Sequence, residues 1–308
     1  MVTFSESERE FPYHAHGAAR DLFYCRDSEI LLEGPAGTGK TRAVLEYVYF
    51  LCLAFPGIRV LFVRKTRASL TESVLVTWEQ KVLPDRRCIS GTAGPENRRS
   101  YTFPRAVSIV KGRRYAGKSH IVLGGMDKAT RIMSTEYDII VAFETNEITE
   151  NDWEMLTSRN RNFRMPWQQS IADTNPDADT HWLNRRGKKA YGVPLDLVGI
   201  LPEARQHQTQ MTRLLSRHRD NPMLWNKRTG KWTTEGALYM RKLYALTGPR
   251  AGRLLRGDWV GAEGQIWEEF DRALHMVYRQ QVTDEGRAIQ DGHRRDKAGN
   301  LKLDWYFA

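Results

Sequence analysis

The chain has 308 residues, of which 41% are hydrophobic, so it is long enough to bury the core of one large domain or of two smaller ones. Its formal net charge of +10 exceeds what one small ligand requires, and it favours a polyanion such as DNA or RNA as a partner over a surface that is basic only for solubility. The sequence shows no signal peptide, no apolar run of membrane-spanning length and no zinc-ligand or disulfide spacing among its three cysteines, which indicates a soluble, non-membrane protein of a reducing cytoplasm.

The first half of the chain alternates strand-like and helix-like stretches. Strands are predicted at residues 30–33, 59–63, 119–123, 137–143 and 168–172, and helices at residues 40–54, 69–82 and 150–159. Two short alternating runs, at residues 100–103 and 107–110, suggest hairpins. Because the apolar runs are continuous and are separated by helices, we expect an α/β fold with a mainly parallel sheet covered on both faces.

The composition changes after about residue 176. Residues 178–260 contain many Arg, Lys and Trp residues and few long apolar runs, with helices predicted at residues 233–246 and 248–256. A last strand is predicted at residues 301–307. We therefore predict three parts, namely a core over residues 1–177, a small lid or linker subdomain over residues 178–265, and a linker with the first strand of a further domain over residues 266–308.

A glycine-rich loop follows the first predicted strand and opens the first predicted helix. It matches the pattern G-x-x-x-x-G-K-[ST] with the residues Gly34, Pro35, Ala36, Gly37, Thr38, Gly39, Lys40 and Thr41. In such a P-loop the glycines let backbone N–H groups surround phosphates, and the helix N-terminus adds partial positive charge. Lys40 is placed to reach the β- and γ-phosphates and Thr41 to ligate Mg²⁺. The chain is therefore predicted to bind a nucleoside triphosphate, with ATP and Mg²⁺ as cofactors.

A carboxylate that activates water is expected at the end of a buried strand beside the P-loop strand. Glu144 follows a buried apolar run and is the candidate. The position before it, where an Asp that holds Mg²⁺ through water is usual, is Phe143. Asp138 lies at the far end of the same strand, about 20 Å away. Asp173, at the end of the next apolar run, is the better candidate for the metal.

Arginine side chains can stabilise the charge on a transferring phosphoryl group. Arg64 and Arg67 follow the second predicted strand, and Arg159 and Arg161 lie on the helix predicted after the catalytic acid. These four residues are the candidate arginine fingers, and the sequence does not distinguish among them. Glu147 is either a second acid of the site or a helix cap.

Several further stretches are distinctive. Residues 63–70 read Val-Arg-Lys-Thr-Arg-Ala-Ser-Leu, and residues 137–161 place two acids before a Leu-Thr-x-Arg-x-Arg pattern. Residues 220–222 and 255–260 add Asp-Asn-Pro and Leu-Arg-Gly-Asp-Trp-Val. With the P-loop, these stretches resemble the large terminase subunit of tailed bacteriophages, an ATP-driven DNA-packaging motor, over roughly residues 10–308.

The resemblance implies further roles. Residues 170–176 fall where the family has its coupling motif, so Thr174 and Asn175 are expected to sense the γ-phosphate and relay its state to the parts that grip DNA. An RNase H-like nuclease domain is implied as well, with Asp304 as a metal ligand on its first strand. Because the sequence ends shortly after Asp304, no endonuclease activity is expected of this chain. The implied partners are double-stranded DNA, a portal protein, a small terminase subunit and further copies of the chain in a ring, all in the host bacterial cytoplasm.

Two other functions remain open from the sequence. A different P-loop nucleic-acid ATPase, such as a helicase, would need a second ATPase-like half, which the sequence does not show. A nucleotide-binding assembly protein without turnover would fit the missing acid at Phe143. Pairs of basic residues at positions 98–99, 113–114, 185–186 and 188–189 can contact a phosphate backbone, but the sequence does not show whether they share a face.

Overall fold

The structure is a computed structural model, and it describes residues 13–83, 100–188 and 211–261. The chain divides into two compact units, Met1–Gly264 and Gln265–Ala308, and every described residue belongs to the first. The strand predicted at residues 301–307, with Asp304, lies outside the described residues, as does the whole third part.

A parallel sheet forms the core of the described chain. The strands are β1 (Glu29–Glu33), β2 (Arg59–Arg64), β3 (Ser100–Thr102), β4 (Ala106–Val110), β5 (Arg113–Gly117), β6 (His120–Gly125), β7 (Ile139–Phe143), β8 (Gln169–Thr174), β9 (Thr212–Leu215), β10 (Trp225–Asn226) and β11 (Lys231–Trp232). Seven of them pair in the order β3-β6-β2-β7-β8-β1-β9, and only the β3–β6 pair is antiparallel. The strands β4 and β5 form a separate antiparallel hairpin, and so do β10 and β11.

Helices connect the strands. They are α1 (Ala18–Tyr24), α2 (Lys40–Ala54), α3 (Arg67–Leu70), α4 (Thr130–Met133), α5 (Glu150–Thr157), α6 (Trp182–Arg186), α7 (Thr234–Tyr244) and α8 (Gly248–Ala251). Wider π turns follow α3 at Thr71–Leu75 and Trp78–Val82 and follow α8 at Gly252–Arg256. Within the described residues, no helix is long and apolar enough to cross a membrane.

The sheet is covered on both faces. The strands β1, β7 and β8 are buried at every residue. In β1, Ile30 and Leu32 join one apolar cluster and Leu31 joins the other, because successive side chains of a strand point to opposite faces. The predicted α/β fold with a mainly parallel, doubly covered sheet is confirmed.

Most predicted elements are present with shifted ends. The helix α2 has the predicted bounds, whereas β8 extends to Thr174, two residues beyond the predicted end. The helix predicted at residues 69–82 is present and begins at Arg67; it is α-helical at Arg67–Leu70 and π-helical at Thr71–Leu75 and Trp78–Val82. The run at residues 100–103 does not form a hairpin, because β3 pairs with β6 at the edge of the main sheet.

The strand β9 was not predicted, and neither was α1. The strand comes from the segment that the sequence assigns to the lid, yet it pairs in parallel with β1 from Ile30↔Thr212 to Glu33↔Leu215. The run Thr-Arg-Leu-Leu is too short and too polar to signal a strand, because an edge strand needs no continuous apolar run. The division at residue 177 stays a prediction, with β9 as the part of the predicted lid that lies in the core sheet.

A buried ion pair joins the start of β1 to the end of α6. The guanidinium of Arg186 holds Glu29 in two hydrogen bonds, from Nε at 2.8 Å and from Nη2 at 2.9 Å. The indole Nε1 of Trp153 donates to the same carboxylate at 2.9 Å. The Arg186 and Glu29 side chains are only 7% and 9% exposed, so the interpretation of Arg186 as a phosphate-backbone contact is wrong.

We expect Glu29→Ala to lower the free energy of unfolding by about 3–5 kcal/mol, because it leaves the Arg186 charge buried without its main partner. The matched control is Arg185→Ala, which removes the neighbouring charge from a side chain that is 69% exposed. That change should cost less than about 1 kcal/mol. Urea unfolding of both variants measures the difference, and equal losses would contradict the structural role of the pair.

Candidate nucleotide-binding site

The glycine-rich loop connects β1 to α2 at the carboxyl edge of the sheet. Gly39 precedes α2 with φ 89°, in the left-handed region that glycine adopts without strain. Gly37 has φ 77°, and a Cβ atom there would lie 2.6 Å from the ring of Tyr239. The backbone conformation therefore requires glycine at both Gly37 and Gly39. At Gly37, close packing against Tyr239 requires it as well.

A cavity of about 1250 Å³ opens over the P-loop. Its lining includes Lys40, Thr41, Glu144, Asp173 and Asn175. Because β1, β7 and β8 are parallel neighbours, the residues that follow them meet at one edge of the sheet. The structure thus brings together the predicted P-loop, acids and coupling residues around a space that exceeds the roughly 300–1,000 Å³ of small-ligand sites.

The ammonium group of Lys40 lies folded against its own loop. Its Nζ donates to the carbonyl oxygens of Gly34 at 2.9 Å and Pro35 at 3.0 Å, and to Oδ1 of Asn175 at 2.9 Å. Burial lowers the pKa of Lys40, and the negative charges of Asp173 and Glu144 oppose that shift. A cation held among acceptors that it can exchange is suited to binding phosphate oxygens.

The hydroxyl of Thr41 donates to Oδ2 of Asp173 at 2.6 Å. Asp173 is buried, which raises its pKa, while Lys40 and the Thr41 hydrogen bond oppose the rise. Asp173 lies opposite Phe143 in the pairing of β8 with β7. The expectation that the strand of the catalytic acid lies beside the P-loop strand is wrong, since β8 lies between β7 and β1.

Glu144 has an uncommon backbone conformation. Its φ of 47° and ψ of 54° place a non-glycine residue in the left-handed region directly after a buried strand. Burial raises the pKa of its carboxyl group and nearby Asp173 raises it further, whereas Arg64 and Lys40 lower it. Strain of this kind persists where the surrounding structure fixes a functional group.

The predicted coupling residues connect the two acidic strand ends. Thr174 Oγ1 donates to Oδ1 of Asn146 at 3.0 Å, just after Glu144 in the chain. His181 Nε2 donates to the backbone oxygen of the same Asn146 at 3.3 Å. Together with the Asn175–Lys40 hydrogen bond, these contacts link the P-loop lysine to the segment after β7 and to the start of α6.

Two of the four candidate arginines lie at the carboxyl edge, Arg64 as the last residue of β2 and Arg67 shortly after it. Arg64 forms an ion pair with Glu147 at 3.2 Å and lowers the pKa of both Glu144 and Asp173. Arg67 begins α3, three residues further on. Glu147 is not a helix cap, because Thr149 caps α5 through the backbone N–H of Asp152.

Arg159 and Arg161 lie at the opposite edge of the sheet. Both follow the end of α5 rather than lying on it, and the backbone oxygen of Arg159 accepts from the N–H of Tyr137, before β7 begins. Arg161 pairs with Glu136 at 3.0 Å. The length of β7, roughly 17 Å, separates them from the cavity of the same chain. Neither is placed to act on a nucleotide bound there.

Residues after β9 cover the outer side of the P-loop. His218 Nε2 donates to the backbone oxygen of Ala36 at 2.9 Å, and Asn221 Nδ2 donates to that of Gly37 at 2.8 Å. The N–H of Ala36 donates to the backbone oxygen of Leu254 at 3.3 Å. Sequence reasoning missed His218 and Leu254, since an isolated histidine and a backbone carbonyl carry no motif.

The acid before the P-loop is also anchored from the C-terminal side. Arg213 binds Glu33 in two hydrogen bonds of 2.7 Å and 2.8 Å, and Nε1 of Trp259 donates to the same carboxylate at 2.5 Å. Arg253 pairs with Asp177 at 2.9 Å, shortly after the coupling residues. The segment around Trp259 is therefore tied to the ends of both β1 and β8.

Solved structures share this architecture. The large terminase of the thermophilic bacteriophage D6E matches with a TM-score of 0.54 and 15% identity over 86% of this chain and 58% of that one. The same terminase with ADP matches at 0.53 and 16% identity over 87% and 60%, and with ATP-gamma-S at 0.51 and 15% over 87% and 59%. The fold is that of a phage large terminase. This chain spans less than two thirds of the length of those terminases.

No protein-family model and no curated protein sequence matches the chain. The predicted resemblance is thus confirmed for the terminase fold, at an identity of 15–16% to the D6E terminase structures. At that distance, the role of each site residue rests on the geometry in this chain.

A magnesium site is compatible with the residues present. Among the described residues, no group of three or more His, Cys, Asp and Glu side chains could hold a metal. Thr41 and Asp173 nevertheless offer a hydroxyl and a carboxylate in contact, and Mg²⁺ takes such oxygen ligands together with phosphates and waters. The pair fits a cation that the nucleotide helps to hold.

We expect Glu144→Gln to raise the melting temperature at neutral pH. The raised pKa of Glu144 means that its charged form destabilises the folded state above that pKa, and an amide removes the charge at similar volume. The gain should shrink as the pH falls through the raised pKa and vanish below the ordinary value of 4.5. Glu72→Gln, at an exposed position, is the control and should show no gain; a Glu144→Gln protein that melts lower would contradict the burial cost.

Proposed function

We propose that this chain is the ATPase portion of a phage large terminase, which hydrolyses ATP to move duplex DNA into a procapsid. The observation that carries the proposal is the meeting of Lys40, Thr41, Glu144 and Asp173 around one cavity. The fold shared with terminase structures that contain ADP or ATP-gamma-S supports it. The net charge of +10 supports a polyanionic substrate.

ATP binds with its phosphates on the loop formed by Gly34, Pro35, Ala36, Gly37, Thr38, Gly39, Lys40 and Thr41. The ammonium of Lys40 leaves its carbonyl partners for the β- and γ-phosphate oxygens. Thr41 and Asp173 would hold Mg²⁺ together with the phosphates, and the cation would neutralise phosphate charge. Asp173 on β8 supplies the carboxylate that is missing at Phe143, and β8 lies one strand closer to the P-loop strand than β7 does.

Glu144 accepts the proton of the attacking water. A general base works best when its pKa approaches the working pH, and burial moves Glu144 in that direction. The left-handed backbone conformation of Glu144 fixes the direction in which its side chain leaves the main chain. Arg64 is the candidate that stabilises the transferring phosphoryl group within the chain, because its charge already acts on Glu144 and Asp173.

Hydrolysis is coupled to movement through Thr174 and Asn175. The Lys40 ammonium donates to Asn175 as well as to the P-loop. Loss of the γ-phosphate therefore changes the hydrogen bonding of Asn175. Thr174 passes that change to Asn146 and, through His181, to the start of α6. His218 and Asn221 donate hydrogen bonds to P-loop carbonyl oxygens. Through these bonds, hydrolysis also reaches the segment after β9.

The partners follow from the motor role. Duplex DNA is the substrate, and the chain works as a ring of copies on a portal protein, with a small terminase subunit choosing the DNA in the host cytoplasm. Asp304 and residues 266–308 are assigned to the linker and first strand of the nuclease domain. A helicase would separate strands, and a non-hydrolysing assembly protein would bind ATP without turnover.

We expect duplex DNA to stimulate ATP turnover by the wild-type chain. Lys40→Ala removes the phosphate-binding cation and should abolish measurable turnover, and Glu144→Gln should lower it by roughly 10²–10⁴-fold while ATP binding remains. Glu72→Gln is the matched control and should keep wild-type turnover. Tight ATP binding without turnover in the wild type, even on DNA, would favour the non-hydrolysing alternative, and separation of strands would favour the helicase.

Asp173→Asn is expected to shift the Mg²⁺ dependence of ATP binding to higher concentration, because the amide keeps a hydrogen-bond acceptor for Thr41 but lacks the charge that attracts the cation. A fluorescent ATP analogue titrated at several Mg²⁺ concentrations measures the shift. Asp127→Asn, at an exposed position outside the cavity lining, is the control. An unchanged Mg²⁺ dependence in Asp173→Asn would remove Asp173 from the metal site.

A further inference from the structure

The hairpin of β4 and β5 is a strongly basic projection. Every Lys, Arg, Asp or Glu residue between positions 100 and 126 is basic, namely Arg105, Lys111, Arg113, Arg114 and Lys118. The turn at Lys111 and Gly112 has positive φ at both residues, 48° and 78°, which suits a tight two-residue hairpin turn. Nothing lies within 4 Å of a Cβ built on Gly112, so the tip stands in open space.

The inner side of the hairpin fixes its position on the sheet. Ser108 Oγ donates to the backbone oxygen of Ala54, the last residue of α2, at 2.5 Å. The buried ring of Tyr115 packs edge-on against Phe55 at 4.9 Å. Since α2 starts at the P-loop and ends here, the hairpin lies at the amino edge of the sheet, one helix length of about 22 Å from the P-loop.

A second basic group lies at the same edge. Arg59 begins β2, and it lines a small polar pocket with Arg159 and Arg161, in which Glu136 is the acid. The pocket has a volume of about 320 Å³. The Nε atom of Arg159 is buried and has no hydrogen-bond partner in the described part of the chain. The pocket therefore contains more guanidinium charge than its own carboxylate neutralises.

Buried contacts connect the two basic groups. The carboxylate of Asp138 accepts from the backbone N–H groups of Arg59 at 2.9 Å and Arg164 at 2.7 Å. The guanidinium of Arg164 in turn donates to the backbone oxygen of Ala116 in β5 at 2.8 Å. Arg59 and Lys118 both lower the pKa of His120, at the start of β6. The pocket and the hairpin thus form one surface.

An exposed aromatic side chain stands on this surface. Phe163 is 72% exposed and lies between Arg161 and Arg164, two residues after the pocket arginine. It has φ 52°, in the left-handed region, and its N–H is held by the side chain of Gln168 at 2.9 Å. The left-handed backbone and the Gln168 hydrogen bond therefore fix this apolar ring in an exposed position on the surface.

We propose that this surface, the basic face formed by Arg59, Lys111, Arg113, Arg114, Lys118 and Arg161, binds the phosphate backbone of duplex DNA. The choice of duplex DNA among polyanions rests on the proposed motor function. Arginine and lysine side chains gain from neutralising phosphates and releasing counterions. Phe163 is placed to lie against a groove between the phosphate contacts.

Duplex DNA fits better than a single strand. Single-strand sites stack successive bases on several aromatic rings. Among the described residues of the basic face, Phe163 is the one large exposed aromatic, and the exposed aliphatic side chains Val107 and Ile109 offer no stacking surface. The face lies across the sheet from the nucleotide cavity, so DNA and ATP can be bound at the same time.

The test is the affinity of the 308-residue chain for a fluorescent 30-base-pair duplex at several salt concentrations. Arg113→Gln/Arg114→Gln removes two charges from exposed positions of the hairpin. Each lost phosphate contact should make the slope of log affinity against log salt shallower by about 0.9, so the double variant should lose about 1.8 in slope and bind at least tenfold more weakly at low salt. Arg59→Gln, at the other end of the face, should lose about 0.9.

The matched control is Arg241→Gln/Lys242→Gln, which removes two adjacent exposed charges from α7. It should leave the affinity and the salt slope within error of the wild type. Phe163→Ala should weaken duplex binding without changing the slope, because the ring carries no charge. Melting temperatures close to the wild type confirm that the variants are folded.

The basic face is refuted if the hairpin variant binds duplex DNA as the control does, or if the wild type does not bind duplex DNA. A Phe163→Ala variant that loses affinity for a single strand but not for the duplex also refutes it. Binding of a fluorescent ATP analogue and its turnover, measured separately, report on the proposed ATPase. If the chain binds DNA through the hairpin but does not turn over ATP, the proposal of the basic face stands and the proposal of a motor function is rejected.

Discussion

The hydrogen bond from Thr41 to Asp173 is the contact on which the arrangement of the site depends. It joins the first turn of α2 to the end of β8, and so fixes the P-loop helix to the strand that lies between β1 and β7. Asp173 is buried, which raises its pKa, and the Lys40 charge offsets part of that cost. Because an uncompensated buried carboxylate is costly, the strand ends and the loop must keep this register for the fold to be stable.

Parallel pairing of the strands brings further side chains of the site to the same edge as the Thr41–Asp173 contact. Strands that run in the same direction end at the same edge, so Glu144 after β7 and Asn175 after β8 meet Lys40 although they are far apart in the sequence. Burial of Glu144 at this edge, beside Asp173, raises the pKa of its carboxyl group, and its backbone is left-handed. The amino edge carries none of these acids and presents arginines instead.

The carboxyl edge and the amino edge of the sheet carry different sets of side chains. At the carboxyl edge, His218 and the backbone of Leu254 hold the P-loop from outside, and Trp259 binds the acid that precedes it. At the amino edge, Asp138 organises Arg59 and Arg164 through their backbone N–H groups, which leaves the Arg59 guanidinium exposed.

The sequence by itself determined the P-loop and the parallel sheet, because glycine spacing and continuous apolar runs are local properties. It failed wherever the outcome depends on which strand lies beside which. The order of the sheet placed β8 rather than β7 next to the P-loop strand, added β9 from the predicted lid, and carried Arg159 and Arg161 to the far edge. Tertiary structure decided these points because hydrogen bonding between strands and the pairing of buried charges join residues that no motif connects.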